Sequence, residues 1–249
     1  MTGATETRIA RGRGLVWLLH LVALLLSAFC FGYGVVVYDS LPDPLPTHWG
    51  PGGIPDDWSP KSFGSVFFGP LMGAGLSILL ALITAAVSRI APPAEDASPW
   101  KLYVREGVNR GTVAALGSTS ILLAALFGFF AVAGWLAPDH LPLWPVITLT
   151  ALILGVIPVS YASASRWARR TAAAREIVPT ESETEDEKLW VAGVLYNNPA
   201  DPHVLVPKRS GTGLGLTVNV GNRKGRIAVA VFLAVFVILP LVLGVVLAL

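Results

Sequence analysis

The chain has 249 residues, of which 53% are hydrophobic and only 14% charged, with a mean hydropathy of +0.64 and a formal net charge of +2. A water-soluble domain carries roughly a quarter of its residues charged, so this composition excludes an ordinary soluble globular protein. One cysteine, Cys30, excludes an intrachain disulfide, and nucleic-acid binding would need a larger basic face than the cluster Arg223, Lys224 and Arg226.

Five segments are apolar over the ~18 or more residues needed to cross a bilayer: Leu15–Tyr38, Phe63–Val87, Val113–Leu136, Leu143–Ala164 and Ile227–Leu249. None contains Asp, Glu, Lys or Arg. The expected class is an all-α integral membrane protein with five transmembrane helices. Residues 1–14 form an N-terminal tail, 15–90 a membrane hairpin whose loop is 39–62, and 91–112 a polar loop. Residues 113–164 form a second membrane hairpin, followed by a basic helix end and acidic linker over 165–188. A small β-meander over 189–225 precedes the fifth helix at 227–249. The basic start and Cys30 superficially resemble a lipoprotein signal. Phe29 is too large for that cleavage site, so an uncleaved first helix is expected.

Lys and Arg concentrate on the cytoplasmic side of membrane proteins. With five spans and the N-terminus inside, every one of the 18 Lys and Arg residues except Lys61 falls in an inner segment. Lys61 shares the outer segments with Asp39, Asp43, Asp56, Asp57 and Asp139. The loop at 39–62 and the C-terminus are therefore expected outside.

His20 lies within the first span, close enough to its inner end for an interfacial, wetted role. The second span repeats small residues every four positions, with Gly69, Gly73 and Ser77 at its centre. That stripe predicts close helix packing against a neighbouring helix or a second copy.

The outer loop reads "LPDPLPTHWGPGGIPDDWSPKS". Alternating prolines 42, 44 and 46 favour extended backbone, and Gly50, Gly52 and Gly53 permit a tight reversal. Trp49 and Trp58 suit the headgroup zone. His48, Trp49, Asp56, Asp57 and Trp58 together form an acidic, aromatic lip suited to a cationic or amphipathic peptide, and they are the candidate ligand-binding residues. His48 and His140, with a nearby carboxylate, are the only outer zinc donors, and nothing in their spacing requires a metal. No metal, other cofactor or catalytic residue is expected, since no nucleophile–base pair or metal-ligand spacing occurs.

Pro46, Thr47, His48, Trp49 and Gly50, followed by Gly53, Pro55 and Asp56, resemble the loop motif of the membrane domain that opens SdpI-type immunity proteins. The resemblance covers roughly the first 90 residues. It implies a bacterial plasma-membrane protein that protects against a secreted toxic peptide, or senses one. The N-P-x-x-G-x-R-type motif of the second half of those proteins is absent.

The inner segment "PTESETEDEK" carries like charge and low hydropathy, which predicts a disordered linker. Alternation over 190–196, "HVLVP" and "GLGLTVNV" predicts a three-stranded meander. Trp190, Gly193, Tyr196, Asn198, Pro199, Asp201, Pro202, Val206, Pro207, Lys208, Arg209, Gly213, Thr217 and Asn219 resemble the pattern of a second small domain of unknown function. The glycines at 211, 213 and 215 lack the following G-K-[ST] of a phosphate loop. The leading expectation is a non-enzymatic recognition protein, acting alone, as a homo-oligomer or with a membrane partner. The alternative is a small transporter or export accessory subunit.

Overall fold

The computed structural model describes residues 9, 12–90, 97–209, 215–239, 242 and 246. A short helical turn, Arg13–Val16, leads into α1 (Leu18–Val37), and a 3-10 turn at Tyr38–Ser40 follows. The loop at 39–62 contains a β-hairpin, β1 (Leu45–Trp49) and β2 (Pro55–Ser59), closed by a 3-10 turn at Pro51–Gly53. Three long helices come next: α2 (Phe63–Ile90), α3 (Pro99–Leu136) and α4 (Leu143–Ala173). Then come α5 (Glu181–Lys188), β3 (Trp190–Val191), β4 (Leu195–Tyr196), β5 (Leu205–Pro207), β6 (Leu216–Val218) and α6 (Arg223–Leu233).

Four helical stretches are long and apolar enough to cross a membrane: Arg13–Ser40, Phe63–Val87, Pro99–Leu136 and Leu143–Ala173. The chain is a multi-pass membrane protein. The proposed fifth span is described chiefly as α6 and the π-turn Ala234–Ile238; Pro240 and most of its C-terminal half lie outside the described residues, as do Gly211 and Gly213.

Two compact units are built from non-contiguous segments. One contains residues 17–82, 116–156 and 237–249. Its α1 buries His20, Ala23, Ser27, Cys30 and Gly34, which recur every three or four residues and so share one face. Leu18, Leu21, Leu25 and Phe29 point outward instead. Small residues inside and large apolar ones outside is the pattern of a helix packed in lipid, where close approach rather than hydrophobic burial holds helices together. The small-residue stripe of α2 has its partner within this unit. A Cβ on Gly69 would lie 2.7 Å from the Phe127 carbonyl oxygen of α3, and one on Gly73 would lie 2.9 Å from Ser27 Oγ and 3.2 Å from Ala124. Ser77 is fully buried and returns its hydroxyl to the Gly73 carbonyl at 2.8 Å. His20 differs from the wetted residue expected: it is 3% exposed and meets the Ser120 hydroxyl at 3.2 Å.

The other unit contains residues 1–16, 83–115 and 157–236, and it departs from expectation in three places. The loop foreseen at 91–112, with only a short helix-compatible stretch after its prolines, is helical from Pro99 onward and continuous with the next apolar run, with Ser98 Oγ accepting from the Lys101 amide at its start. The acidic linker is not disordered but forms α5. Thr180 and Glu183 build a capping box that satisfies the amides of its first turn, and this local gain outweighs repulsion between exposed acids. The meander is two antiparallel hairpins, β3–β4 and β5–β6, joined by a parallel bridge between Tyr196 and Asn219. Ala192 (φ 51°) and Gly193 (φ 77°) both take left-handed backbone, and this folds the segment foreseen as one strand into a hairpin of its own.

Candidate binding site

The hairpin is registered by Leu45 opposite Ser59, Pro46 opposite Trp58, His48 opposite Asp57 and Trp49 opposite Pro55. Leu41 and Leu45 anchor it in a buried cluster with Cys30, Val66, Phe67 and Trp135. Lys61 fixes its base: the backbone amide donates to Asp43 Oδ1 at 2.9 Å. The ammonium donates to the carbonyls of Asp39 and Leu41 at 3.3 and 3.2 Å. The basic side chain of the loop is thus spent on backbone carbonyls rather than on the carboxylates.

Of the five candidate ligand-binding residues, the hairpin brings three, His48, Asp56 and Asp57, into two cross-strand contacts. His48 Nδ1 meets Asp56 Oδ1 at 2.5 Å, and Thr47 Oγ1 donates to Asp57 Oδ2 at 3.1 Å. The His48 and Asp56 side chains are 67% and 52% exposed, so this pair is a surface feature and not a buried salt bridge. Trp58 is exposed and lies opposite Pro46. Trp49 turns the other way: its ring stacks on Phe130 of α3 at 6.1 Å between centroids. His140 is exposed, and its amide donates to the Ala137 carbonyl. Among the described residues, no three His, Cys, Asp or Glu side chains converge as metal donors.

Beneath the hairpin lies a cavity of about 1010 Å³, which the loop residues alone did not reveal. β1 supplies Pro46 to Trp49; α2 supplies Ser65, Phe68 and Gly69; α3 and α4 supply Phe127, Phe130, Ala131 and Val146. Ligand sites commonly combine such apolar walls with a few polar groups. Asp56, Asp57 and Trp58 do not line it. Trp49 Nε1 is buried at this wall with no hydrogen-bond partner among the described residues.

Residues 25–74 match a family described as a domain of unknown function, DUF1648. The match takes in the second half of α1, the whole hairpin and the start of α2, and therefore the β1 roof and the α2 wall of the cavity. No curated protein and no solved structure matches the chain.

The second unit has polar centres of its own. Glu106 is 4% exposed and receives Arg13 through Nε at 3.1 Å and Nη2 at 2.6 Å, and Arg110 Nε at 2.9 Å. The Arg110 guanidinium also stacks 3.8 Å from the Trp167 ring. Arg110 thus lies against protein on both sides of its guanidinium. Arg209 reaches Asp186 at 2.5 Å and also Glu187, clamping α5 to the hairpins.

Asn219 is fully buried and is the hub of the turn that carries Tyr196, Asn198 and Asp201. Its Oδ1 accepts from the amides of Asn198 and Gly221 at 3.0 and 3.1 Å. Its Nδ2 donates to the carbonyls of Asn198, Asp201 and His203. These motif residues build the fold of the small unit.

Proposed function

We propose that the chain is a non-enzymatic protein of a bacterial plasma membrane that recognises a cationic or amphipathic peptide through its outer hairpin. In this reading five helices span the bilayer, with the N-terminus inside and the C-terminus outside. The resemblance of Pro46–Gly50 and Gly53–Asp56 to the SdpI-type loop points to immunity against such a peptide, or to sensing it.

The observation that carries the reading is the charge arrangement of the hairpin. Asp56, Asp57 and Trp58 are exposed on one strand, while the Lys61 ammonium is held by the carbonyls of Asp39 and Leu41. Exposed carboxylates beside an exposed indole attract a positively charged, partly apolar ligand. The hairpin is anchored through Leu41 and Leu45, so ligand binding costs little ordering entropy. The test is a deletion strain carrying either the wild-type chain or the Asp56→Asn/Asp57→Asn double variant, challenged with cationic amphipathic peptides. The reading predicts equal membrane abundance and lost protection in the double variant. Equal survival of the two strains contradicts it.

A further inference from the structure

We propose that the outward face of the β5–β6 hairpin is a membrane-surface anchor, which seats Leu205, Pro207 and Leu216 among the anionic phospholipid headgroups of the bilayer that α4 and α6 enter. This goes beyond peptide recognition, because it concerns the other unit of the chain. It takes from that reading only that α6 opens a fifth span.

Successive residues of a strand point to opposite faces, and residues directly opposite on paired strands share one. Val206 and Thr217 are opposite each other and buried. Thr217 Oγ1 donates to the Val194 carbonyl at 3.0 Å, so this face is turned to the β3–β4 hairpin. The other face pairs Pro207 with Leu216 and Leu205 with Val218. Leu205 and Leu216 are 54% and 57% exposed there, and Pro207 is exposed between them.

Two contacts fix the depth of this face. Asn219 directly follows β6, and a Cβ on Gly225 would lie 2.0 Å from its carbonyl oxygen, so backbone meets backbone there. Ile227 begins the apolar run of α6 only two residues later, a rise of about 3 Å. At the other end of the hairpin, Arg209 lines a narrow cleft with Ser165 of α4. Ala164, just before Ser165, ends the apolar run of that helix, and Arg166, Arg169 and Arg170 follow. Both ends of the hairpin therefore stand where helices leave the hydrocarbon, at a headgroup layer about 5–7 Å thick.

Charge complementarity selects the lipid. Lys208, Arg223, Lys224 and Arg226 are exposed, and none has a carboxylate partner among the described residues. Arg209, by contrast, is held by Asp186 and Glu187. The Asp201 carboxylate already accepts from the His203 amide at 2.9 Å and meets its ring at 2.8 Å. Lys and Arg beside a span are drawn to anionic headgroups, and an apolar face among such cations adds burial to that attraction. A second copy of the chain on this face would bring the same four cations against these and is repelled.

The test places the full Cys30→Ser chain in nanodiscs, with Leu205→Cys, Leu216→Cys or Glu185→Cys carrying an environment-sensitive fluorophore. The quencher is a phosphatidylcholine spin-labelled near the head of its acyl chain. In equimolar phosphatidylglycerol and phosphatidylcholine, quenching at 205 and 216 should exceed that at 185, an exposed position of α5, several-fold. Removing phosphatidylglycerol, or introducing Lys208→Gln/Lys224→Gln, should lower quenching at 205 and 216 about twofold and leave 185 unchanged. Three results overturn the proposal: quenching at 205 and 216 no greater than at 185, quenching indifferent to phosphatidylglycerol, or a disulfide-linked dimer of the unlabelled Leu216→Cys chain. If Leu205→Cys does not fold, Leu216→Cys decides the matter. Both faces of a nanodisc are accessible, so the outcome does not depend on which side carries the β1–β2 hairpin, and either reading can fail alone.

Discussion

The Leu141 amide donates to the Gly53 carbonyl at 2.8 Å, so the tip of the β1–β2 hairpin is tied to the segment between α3 and α4. Gly53 sits at φ +73°, and a Cβ there would collide with the Leu141 carbonyl oxygen. Backbone stands on both sides of this contact, and neither side has a flexible end that can move away.

Gly53→Ala should therefore destabilise the hairpin by about 1–3 kcal/mol from the left-handed backbone alone, with the collision adding to it. Gly64→Ala is the control, because its Cβ meets only Ser62 Oγ at 3.8 Å. Thermal unfolding in detergent should show a clear fall in midpoint for the first variant and none for the second. Equal midpoints contradict the account of the turn.

The apolar runs made the four candidate membrane helices legible, since a long segment without charge has few alternatives. The hairpin was half legible. Prolines 42, 44 and 46 and the glycines gave extension and reversal, but nothing local says that His48 lies opposite Asp57. The cavity was invisible, because Phe127, Phe130 and Val146 are far from the loop in sequence and look like ordinary span residues. The α5 capping box was in plain view as Thr180-x-x-Glu183 and was outweighed by the run of acids. Glu106 left a fainter signal, an acid four residues before Arg110, but its other partner, Arg13, is 93 residues away. The role of Asn219 depends on carbonyls 16 to 21 residues distant, which a periodicity pattern does not reveal.

Glu106→Ala should be among the most damaging single changes in its unit. It removes the carboxylate shared by Arg13 and Arg110 and leaves two guanidinium groups in a largely buried setting. Breaking a buried ion pair in this way costs about 3–5 kcal/mol. Denaturant unfolding measures it; a loss below about 1 kcal/mol, the value of a surface pair, contradicts the assignment.

Asp56→Asn should behave in the opposite way. Both members of the His48–Asp56 pair are exposed, so stability should change by less than about 1 kcal/mol. Binding of a cationic peptide, measured by calorimetry on protein in nanodiscs, should weaken. A variant that unfolds instead would make the pair structural and not recognitive.

Glu183 gives the small unit an acid-sensitive joint. Burial alone pushes its carboxyl pKa up. Hydrogen bonds from Ser98 and from the Thr180 amide and hydroxyl, with the charge of Lys101, outweigh burial and hold it below the ordinary 4.5. A lowered folded pKa means that the unfolded chain binds the proton more readily. The stabilisation is thus complete above about 4.5 and is lost as the pH falls through the folded value. Hydrogen exchange of the α5 amides should accelerate over that range, and Ser98→Ala should weaken the pH dependence. An unchanged profile in Ser98→Ala contradicts the role given to that hydroxyl.

The recognition account stands on which face of the membrane carries the hairpin. In a Cys30→Ser background, single cysteines introduced as Asp57→Cys and Glu185→Cys are treated in intact cells with a membrane-impermeant maleimide. The account predicts labelling at 57 in intact cells, and labelling at 185 only after permeabilisation. The reverse pattern would place the acidic hairpin inside the cell and contradict it.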